Sequence, residues 1–228
     1  MKRRAFFQLV GSGLAASILP VSSFATAQND LPKVLLLGDS ISIGYTPFVQ
    51  QMLAGKAVVV RPVKDNGSPE NCAGTTNGIQ HIDRWIGDTK WDVIHFNFGL
   101  HDLKHVDPKT GKNSKNLEDP RQAEPKQYKK NLKAIIKKLK ATGAKLIFAT
   151  TTPYPDRVGG PLRKYGDAEK YNKVALKIVK KNKIPVNNLH GFVEPQMADL
   201  QQPSNVHFTK MGSERLAEQV VERILAFM

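Results

Sequence analysis

A short apolar run that ends in a polar turn most constrains how this chain can fold. Residues 34–37, Val-Leu-Leu-Leu, are followed directly by Gly38, Asp39 and Ser40. A run without polar alternation is typical of a strand buried on both faces of a parallel sheet. In such sheets, ligands bind beyond the carboxyl ends of the strands. Ser40 is therefore a candidate nucleophile, although these residues also favour an ordinary strand-ending turn.

Strand and helix signals alternate through the rest of the chain, which predicts a three-layer α/β/α sandwich with a mostly parallel, flavodoxin-like sheet. A polar excursion over 104–125 interrupts this alternation and is either functional or a mobile decoration. The predicted strands cover 34–37, 57–63, 92–98, 145–150 and 184–186. The predicted helices cover 44–53, 78–86, 126–142, a segment through 171–179, and 210–226.

The first 27 residues have the features of a secretory signal peptide, which leaves 28–228 as a single domain. An arginine pair, Arg3-Arg4, precedes an apolar region over 9–19 that is too short to span a bilayer comfortably. Small residues over 25–27 suit cleavage, and the arginine pair suggests twin-arginine export. We therefore predict a periplasmic or secreted protein that uses the twin-arginine or the general secretion machinery. An uncleaved anchoring helix is the alternative.

The composition restricts the partners of the mature protein. The formal net charge is +14, and cleavage after Ala27 would reduce it to +11. A basic protein favours anionic surfaces or polymers, but many of the lysines lie on what we predict is the exposed face of one helix. Because no recognised motif accompanies this charge, we predict no nucleic-acid binding. We also predict no stable membrane insertion of the mature chain, and its one cysteine, Cys72, excludes an internal disulfide.

Two short motifs near the ends of the mature chain suggest its chemistry. A serine hydroxyl needs a neighbouring base, and histidine is the usual one. His207 lies in a loop before the last predicted helix, within Val-His-Phe-Thr-x-x-Gly over 206–212. Together with Gly-Asp-Ser over 38–40, this motif resembles the SGNH/GDSL hydrolase family over essentially the whole mature chain. The resemblance implies the SGNH hydrolase fold, Ser40 as nucleophile, His207 as general base, and no metal or cofactor.

The resemblance also implies an oxyanion hole. Its donors would be the amides of Ser40 and Gly74, with an asparagine side chain from a third motif, Gly-x-Asn-Asp. That motif falls on 99–102, where His101 stands in place of the asparagine. An imidazole N–H can donate to an oxyanion, so His101 is the expected donor. Asn97 is a less favoured one, because a strand amide is more simply satisfied by backbone.

The acid of the expected triad is missing from its usual place. The family has an aspartate three residues before the histidine, where this chain has Ser204. Ser204 or a backbone carbonyl orients the imidazole, or a carboxylate arrives from Glu194 or Asp199. The missing aspartate also leaves open a non-catalytic, carbohydrate-binding relative. Supporting roles at the site are expected for Asp39 and Asp102 as well as for Ser204.

Two other kinds of site share some of these residues. The general α/β-hydrolase elbow is Gly-x-Ser-x-Gly, and the serine at position 42 disfavours it. Imidazoles and a carboxylate also bind zinc, but the possible ligands do not form a complete, suitably spaced set. These ligands are His95, His101, Asp102 and His105. The remaining histidines, His81 and His190, are expected to be surface or packing residues.

The sequence therefore predicts an exported serine esterase that hydrolyses a small ester through an acyl-enzyme. Export, the basic surface and the modest aromatic content suit an O-acetylesterase acting on acetylated polysaccharide. No loop is rich enough in apolar residues to indicate the extended pocket that a long-chain lipid needs. A lysophospholipase or thioesterase of the same family is the alternative.

Overall fold

The computed structural model describes residues 31–228, so the predicted signal peptide lies outside the described residues. Five parallel strands form one sheet in the order β2-β1-β3-β4-β5. This result confirms the predicted α/β fold. The strands are β1 (Lys33–Leu37), β2 (Val58–Val60), β3 (Val93–Phe96), β4 (Lys145–Ala149) and β5 (Val186–Asn187).

Helices connect and cover these strands. A 3-10 turn (Glu194–Gln196) joins the two short helices Leu189–Val193 and Met197–Leu200. Within residues 31–228, no helix has the length and apolar character needed to cross a membrane. The helices are α1 (Ser40–Met52), α2 (Thr75–Ile86), α3 (Pro125–Ala141), α4 (Asp167–Lys181), α5 (Leu189–Val193), α6 (Met197–Leu200) and α7 (Lys210–Leu225).

The two faces of the sheet have separate hydrophobic cores. Successive strand side chains point to opposite faces, so Leu35 and Leu37 pack with α2, α3 and α4. Val34 and Leu36 pack on the other face with α1 and α7. These four side chains are almost fully buried, as the unbroken apolar run predicts for a strand covered on both faces.

The strand order determines where a site can form. In a sheet ordered 2-1-3-4-5, the chain winds in opposite directions on either side of the boundary between β1 and β3, and ligands bind beyond that boundary. The loop after β1 leads directly into Ser40, and the loop after β3 contains 99–102. The turn and the third motif therefore lie at the same point of the sheet edge.

Two helices begin earlier than predicted, because side chains cap them. We predicted that α1 begins at position 44, but it begins at Ser40, where Asp39 Oδ1 accepts a hydrogen bond of 2.9 Å from the backbone N–H of Ile41. We predicted that α2 begins at position 78, but it begins at Thr75. The carboxyl group of Asp102 accepts the N–H of Thr75 at 2.8 Å, which gives one of the unpaired N–H groups at the helix start a partner.

The second strand is shorter than the prediction of 57–63. It pairs only over Val58–Val60, and Arg61 then directs its guanidinium beneath α1. There it donates to Ser42 Oγ at 3.1 Å and to Thr46 Oγ1 at 3.0 Å. Pro62 follows and has no backbone N–H to donate. The third and fifth strands, at Val93–Phe96 and Val186–Asn187, also differ from the predicted 92–98 and 184–186.

The polar excursion over 104–125 is anchored to neighbouring segments. Arg121 Nη2 lies 2.7 Å from Asp167 Oδ2 at the start of α4. The N–H of His105 donates to the carbonyl of Leu162 at 2.9 Å. A bridge between His105 and Arg121 closes the loop on itself. The excursion is therefore part of the structure around the carboxyl edge of the sheet.

Candidate active site

The structure brings together Ser40 and His207, which lie near the two ends of the described residues. Ser40 is the first residue of α1 and is half-buried. Its Oγ lies 2.8 Å from Nε2 of His207, which belongs to the loop before α7. This distance is within hydrogen-bond range. An imidazole placed in this way can take the proton of the serine hydroxyl.

Asn205 holds the imidazole from its other side. Among the described residues, the hydrogen-bond partner of His207 Nδ1 is Asn205 Oδ1, at 2.8 Å. The same oxygen accepts the backbone N–H of His207 at 3.1 Å. Asn205 Nδ2 donates to Gln202 Oε1 at 3.2 Å, which indicates the orientation of the amide. Because Nδ1 donates to an oxygen, Nε2 is left as the acceptor that faces the serine hydroxyl.

The residues that we considered for this orienting role lie elsewhere. Ser204 has a left-handed backbone (φ 51°), and its carbonyl accepts the N–H of Gly159 at 2.9 Å. Glu194 Oε2 is 3.9 Å from His190 Nδ1, and Asp199 is exposed on α6. Asn205 was not among our candidates. Its position two residues before the histidine was the only sequence signal that could have identified it.

The loops after β1, β3 and β4 and the segment before α2 lie close together at the carboxyl edge of the sheet, next to Ser40. The N–H of Cys72 donates to the carbonyl of Gly38 at 3.1 Å. A Cβ on Gly74 would lie 3.0 Å from the carboxyl carbon of Asp102. A Cβ on Gly99 would lie only 2.1 Å from Thr151 Oγ1, so glycine is required there. Gly74 and the third motif are thus in direct contact.

The surroundings of His101 lower the pKa of its ring and so favour the neutral imidazole. The ring is half-buried, and burial is the largest cause of its lowered pKa. The nearby cations Lys104 and Arg163 lower this pKa further, and Asp39 opposes them. A neutral imidazole keeps one N–H to donate. Its chemistry therefore fits the role that an asparagine amide would have.

The side chain of Asn97 hydrogen-bonds to the backbone, as we expected for an amide on a strand. Its Nδ2 donates to the carbonyl of Ala149 at 2.8 Å, which links the ends of β3 and β4. Asn97 also lines a cavity of about 10 Å³ beside the catalytic edge. The other lining residues are Asp39, Ile41, Ser42, Tyr45, Leu100, Thr150, Thr151, Thr152 and Leu189.

The histidines that suggested a possible zinc site contact different segments. His95 is fully buried in β3, 3.3 Å from Asn187 Nδ2, and burial lowers its pKa to about 4. His105 Nδ1 lies 2.7 Å from the carbonyl oxygen of Asp119 in the excursion. His101 faces the charges of the catalytic edge. The geometry therefore separates these three rings.

Asp102 belongs to the third motif and has a buried carboxyl group. It is fully buried, and its Oδ1 accepts the N–H and the hydroxyl of Thr75 at 2.8 and 2.5 Å. Burial outweighs these bonds and raises the pKa of Asp102 from 3.8 to about 7. Between about pH 4 and about pH 7, Asp102 in the folded protein keeps a proton that the same residue in the unfolded chain has released. The free energy of unfolding therefore falls as the pH rises from about 4 through about 7.

Replacing Asp102 with asparagine is expected to flatten this pH dependence, because the variant has no proton to lose. Thermal unfolding followed between about pH 5 and about pH 9 measures the effect. The wild-type Tm should fall over this range more steeply than that of Asp102→Asn. Asp65→Asn, which changes an exposed carboxylate, should keep the wild-type slope. Equal slopes for wild type and Asp102→Asn would contradict the raised pKa.

Comparison with known proteins identifies related sequences and folds. A family model described as the GDSL-like lipase/acylhydrolase family matches residues 36–215. This segment contains Ser40, Gly74, His101, Asn205 and His207. A comparison with curated protein sequences gives no match.

Several solved structures share the fold. A lipase/acylhydrolase from Enterococcus faecalis has a TM-score of 0.67 at 22% identity, covering 86% of this chain and 96% of its own. The acetyl xylan esterase AlAXEase has a TM-score of 0.64 at 16% identity, covering 84% and 99%. TesA has a TM-score of 0.62 at 20% identity, covering 86% and 99%. At these identities the likeness concerns the fold.

Proposed function

We propose that this chain, which belongs to the GDSL-like lipase/acylhydrolase family of ester hydrolases, is an exported serine esterase that removes acetyl groups from carbohydrate. Membership follows from the family match over 36–215 and agrees with the resemblance seen in the sequence. The observation that carries the proposed mechanism is the 2.8 Å contact between Ser40 Oγ and His207 Nε2. A non-catalytic relative would have no need to keep this pair in contact.

In the proposed reaction, Ser40 Oγ attacks the ester carbonyl and His207 Nε2 takes the serine proton. His207 then gives this proton to the leaving alcohol, and the acyl group remains on Ser40. A water molecule, activated by the same imidazole, hydrolyses the acyl-enzyme. Asn205 Oδ1 holds Nδ1–H throughout, so the ring does not need to reorient between the two half-reactions.

The oxyanion of each tetrahedral intermediate needs donors that are already in place. We assign this role to the backbone N–H groups of Ser40 and Gly74 and to the neutral ring of His101. Ser40 N–H is at the start of α1, where backbone N–H groups have no partner within the helix. Gly74 is the N-cap of α2, so two helix N-termini would contribute their positive ends to the same charge.

The sequence supports a short acyl group. No loop is rich enough in apolar residues to form the extended pocket that a long-chain lipid needs. A solved structure with this fold is an acetyl xylan esterase, which is consistent with a carbohydrate acetyl ester as the substrate.

Export and charge are consistent with an acidic or neutral polysaccharide as the partner. The features that suggest export, the arginine pair and the apolar region, lie before residue 31 and outside the described residues. Lysines 129, 130, 133, 137 and 140 are exposed on α3, as predicted. They give the surface a positive potential that would attract an anionic polymer.

The acyl preference tests this proposal. We expect kcat/KM for p-nitrophenyl acetate to exceed that for p-nitrophenyl octanoate by about tenfold or more, a difference of about 1.4 kcal/mol in transition-state binding. The two esters share a leaving group, so the ratio reports the acyl site. A preference for octanoate would contradict the acetylesterase proposal and favour the lysophospholipase or thioesterase alternative. Release of acetate from acetylated xylan would then establish the carbohydrate substrate.

A further inference from the structure

We propose that Glu169, His190 and Glu194 form a binding site for a divalent transition-metal ion such as Zn²⁺, separate from Ser40 and His207. The three side chains each offer one ligand atom, and these atoms lie within 4.8 Å of one another. We call this group the His190 cluster. The proposal is independent of the esterase mechanism, since none of its members contacts the catalytic pair.

Two elements of the fold bring the cluster together. Glu169 is in the first turn of α4. His190 belongs to α5, and Glu194 begins the 3-10 turn that continues it. Residues four apart on a helical segment lie on the same side, so His190 and Glu194 face Glu169 together. The backbone N–H of His190 donates to Thr150 Oγ1 at 2.9 Å, which fixes the position of the histidine at the end of β4.

The distances suit a metal of this size. His190 Nε2 is 3.5 Å from Glu169 Oε1, and His190 Nδ1 is 3.9 Å from Glu194 Oε2. Zinc bonds to nitrogen and oxygen are about 2.0–2.2 Å long, so two ligand atoms of a tetrahedral site lie about 3.4 Å apart. Glu169 Oε1 is already near this spacing from Nε2. Glu194 Oε2 approaches the other ring nitrogen, Nδ1, so the exposed Glu194 side chain would turn toward Nε2 to complete the set.

The imidazole provides the second observation in favour of a ligand. His190 is 9% exposed, and its Nε2 is buried without a hydrogen-bond partner among the described residues. A buried polar atom usually has a partner. A neutral imidazole nitrogen is a common ligand for zinc and similar metals. Nε2 and the two carboxylates therefore form a mixed set of nitrogen and oxygen ligands, which suits an ion of intermediate softness such as Zn²⁺.

The surroundings allow the ion and a further ligand to reach the cluster. Glu169 and Glu194 have side chains that are 49% and 63% exposed, and the cluster lines a cavity of about 470 Å³. Two carboxylates balance the charge of a divalent ion. The same cavity is lined by Lys173, Lys177 and Lys180. These cations would favour an anion at the remaining coordination position.

Titration of Zn²⁺ into the full chain, produced without an added histidine tag, tests this inference. Isothermal calorimetry should give one saturable site. His190→Ala should weaken it by about tenfold or more, since even residues behind the ligands change metal affinity by that factor. Glu169→Gln and Glu194→Gln, which keep the side-chain shape at exposed positions, should also weaken it. His81→Ala, a control histidine on α2, should bind as wild type does.

Because His190→Ala could fail to fold, thermal unfolding with and without Zn²⁺ provides a second measurement. Zn²⁺ should raise the Tm of the wild type and of His81→Ala, because an ion that binds the folded state stabilises it. It should raise the Tm of Glu169→Gln less. The absence of saturable binding would overturn the proposal and leave the cluster as ion pairs. Equal affinity in the wild type and the three cluster variants would overturn it as well.

Discussion

Replacing Ser40 with alanine is expected to lower kcat for p-nitrophenyl acetate by about 10⁴-fold or more, the scale seen when a serine nucleophile is removed from a hydrolase. The physical reason is that alanine has no oxygen to form the acyl-enzyme, so His207 has no proton to accept. Steady-state hydrolysis of wild type and variant, with a chelator present in both, measures the effect. The chelator removes any contribution from a bound metal ion.

Ser68→Ala is the matched control for this variant. Ser68 makes its side-chain hydrogen bond to Asn66 in an exposed loop, and the variant should keep wild-type kcat. Far-ultraviolet circular dichroism should give the same spectrum for both variants and the wild type. Full activity in Ser40→Ala would exclude the serine mechanism, whatever the behaviour of the control.

Replacing Asn205 with alanine is expected to lower kcat/KM by about 10²-fold or more, because His207 would lose the group that fixes its tautomer and orientation. The effect should fall on kcat more than on KM, since the amide contacts the base and not the substrate. Asn205→Asp should recover much of the activity. A carboxylate favours the protonated imidazole, so the acid limb of its pH profile should move to higher pH.

The pH profile separates a positioning role from a structural one. A residue that only holds the loop together would change activity without moving the acid limb. Ser204→Ala tests the position where the family has its aspartate. It should remain close to wild type because Ser204 is exposed and the partner of Nδ1 is Asn205 Oδ1. A large loss in Ser204→Ala with none in Asn205→Ala would contradict the assignment of Asn205.

The fold was predictable because its signals are local. The unbroken apolar run at 34–37 reflects a strand that is buried on both faces, and the amphipathic pattern of α3 reflects a helix that buries one face. The predicted bounds of α3, β4 and α7 agree with the structure to within one residue at each end. The start of α2 was not predictable in the same way. Its first N–H is bound by Asp102, which lies 27 residues further along the chain.

The reactive residues of the site were predictable from short motifs. The residue that orients the histidine was not, because its identity depends on the conformation of a loop. Ser40 and His207 are recognisable from short motifs, and the structure places them in contact. The partner of Nδ1 depends on the path of the loop from 202 to 207. Because Ser204 adopts a left-handed conformation, the following residue, Asn205, faces the imidazole. The sequence alone does not reveal this backbone conformation at Ser204, since residues other than glycine rarely adopt a positive φ.

The most direct test of the serine mechanism is covalent labelling with a fluorophosphonate, followed by peptide mapping. This reagent phosphonylates a serine hydroxyl that a neighbouring base has activated. We expect one adduct per chain, on the peptide that contains Ser40, and none in Ser40→Ala or in the denatured wild type. An adduct on another residue, or equal labelling of the wild type and Ser40→Ala, would contradict the assignment of Ser40 and His207 as the catalytic pair.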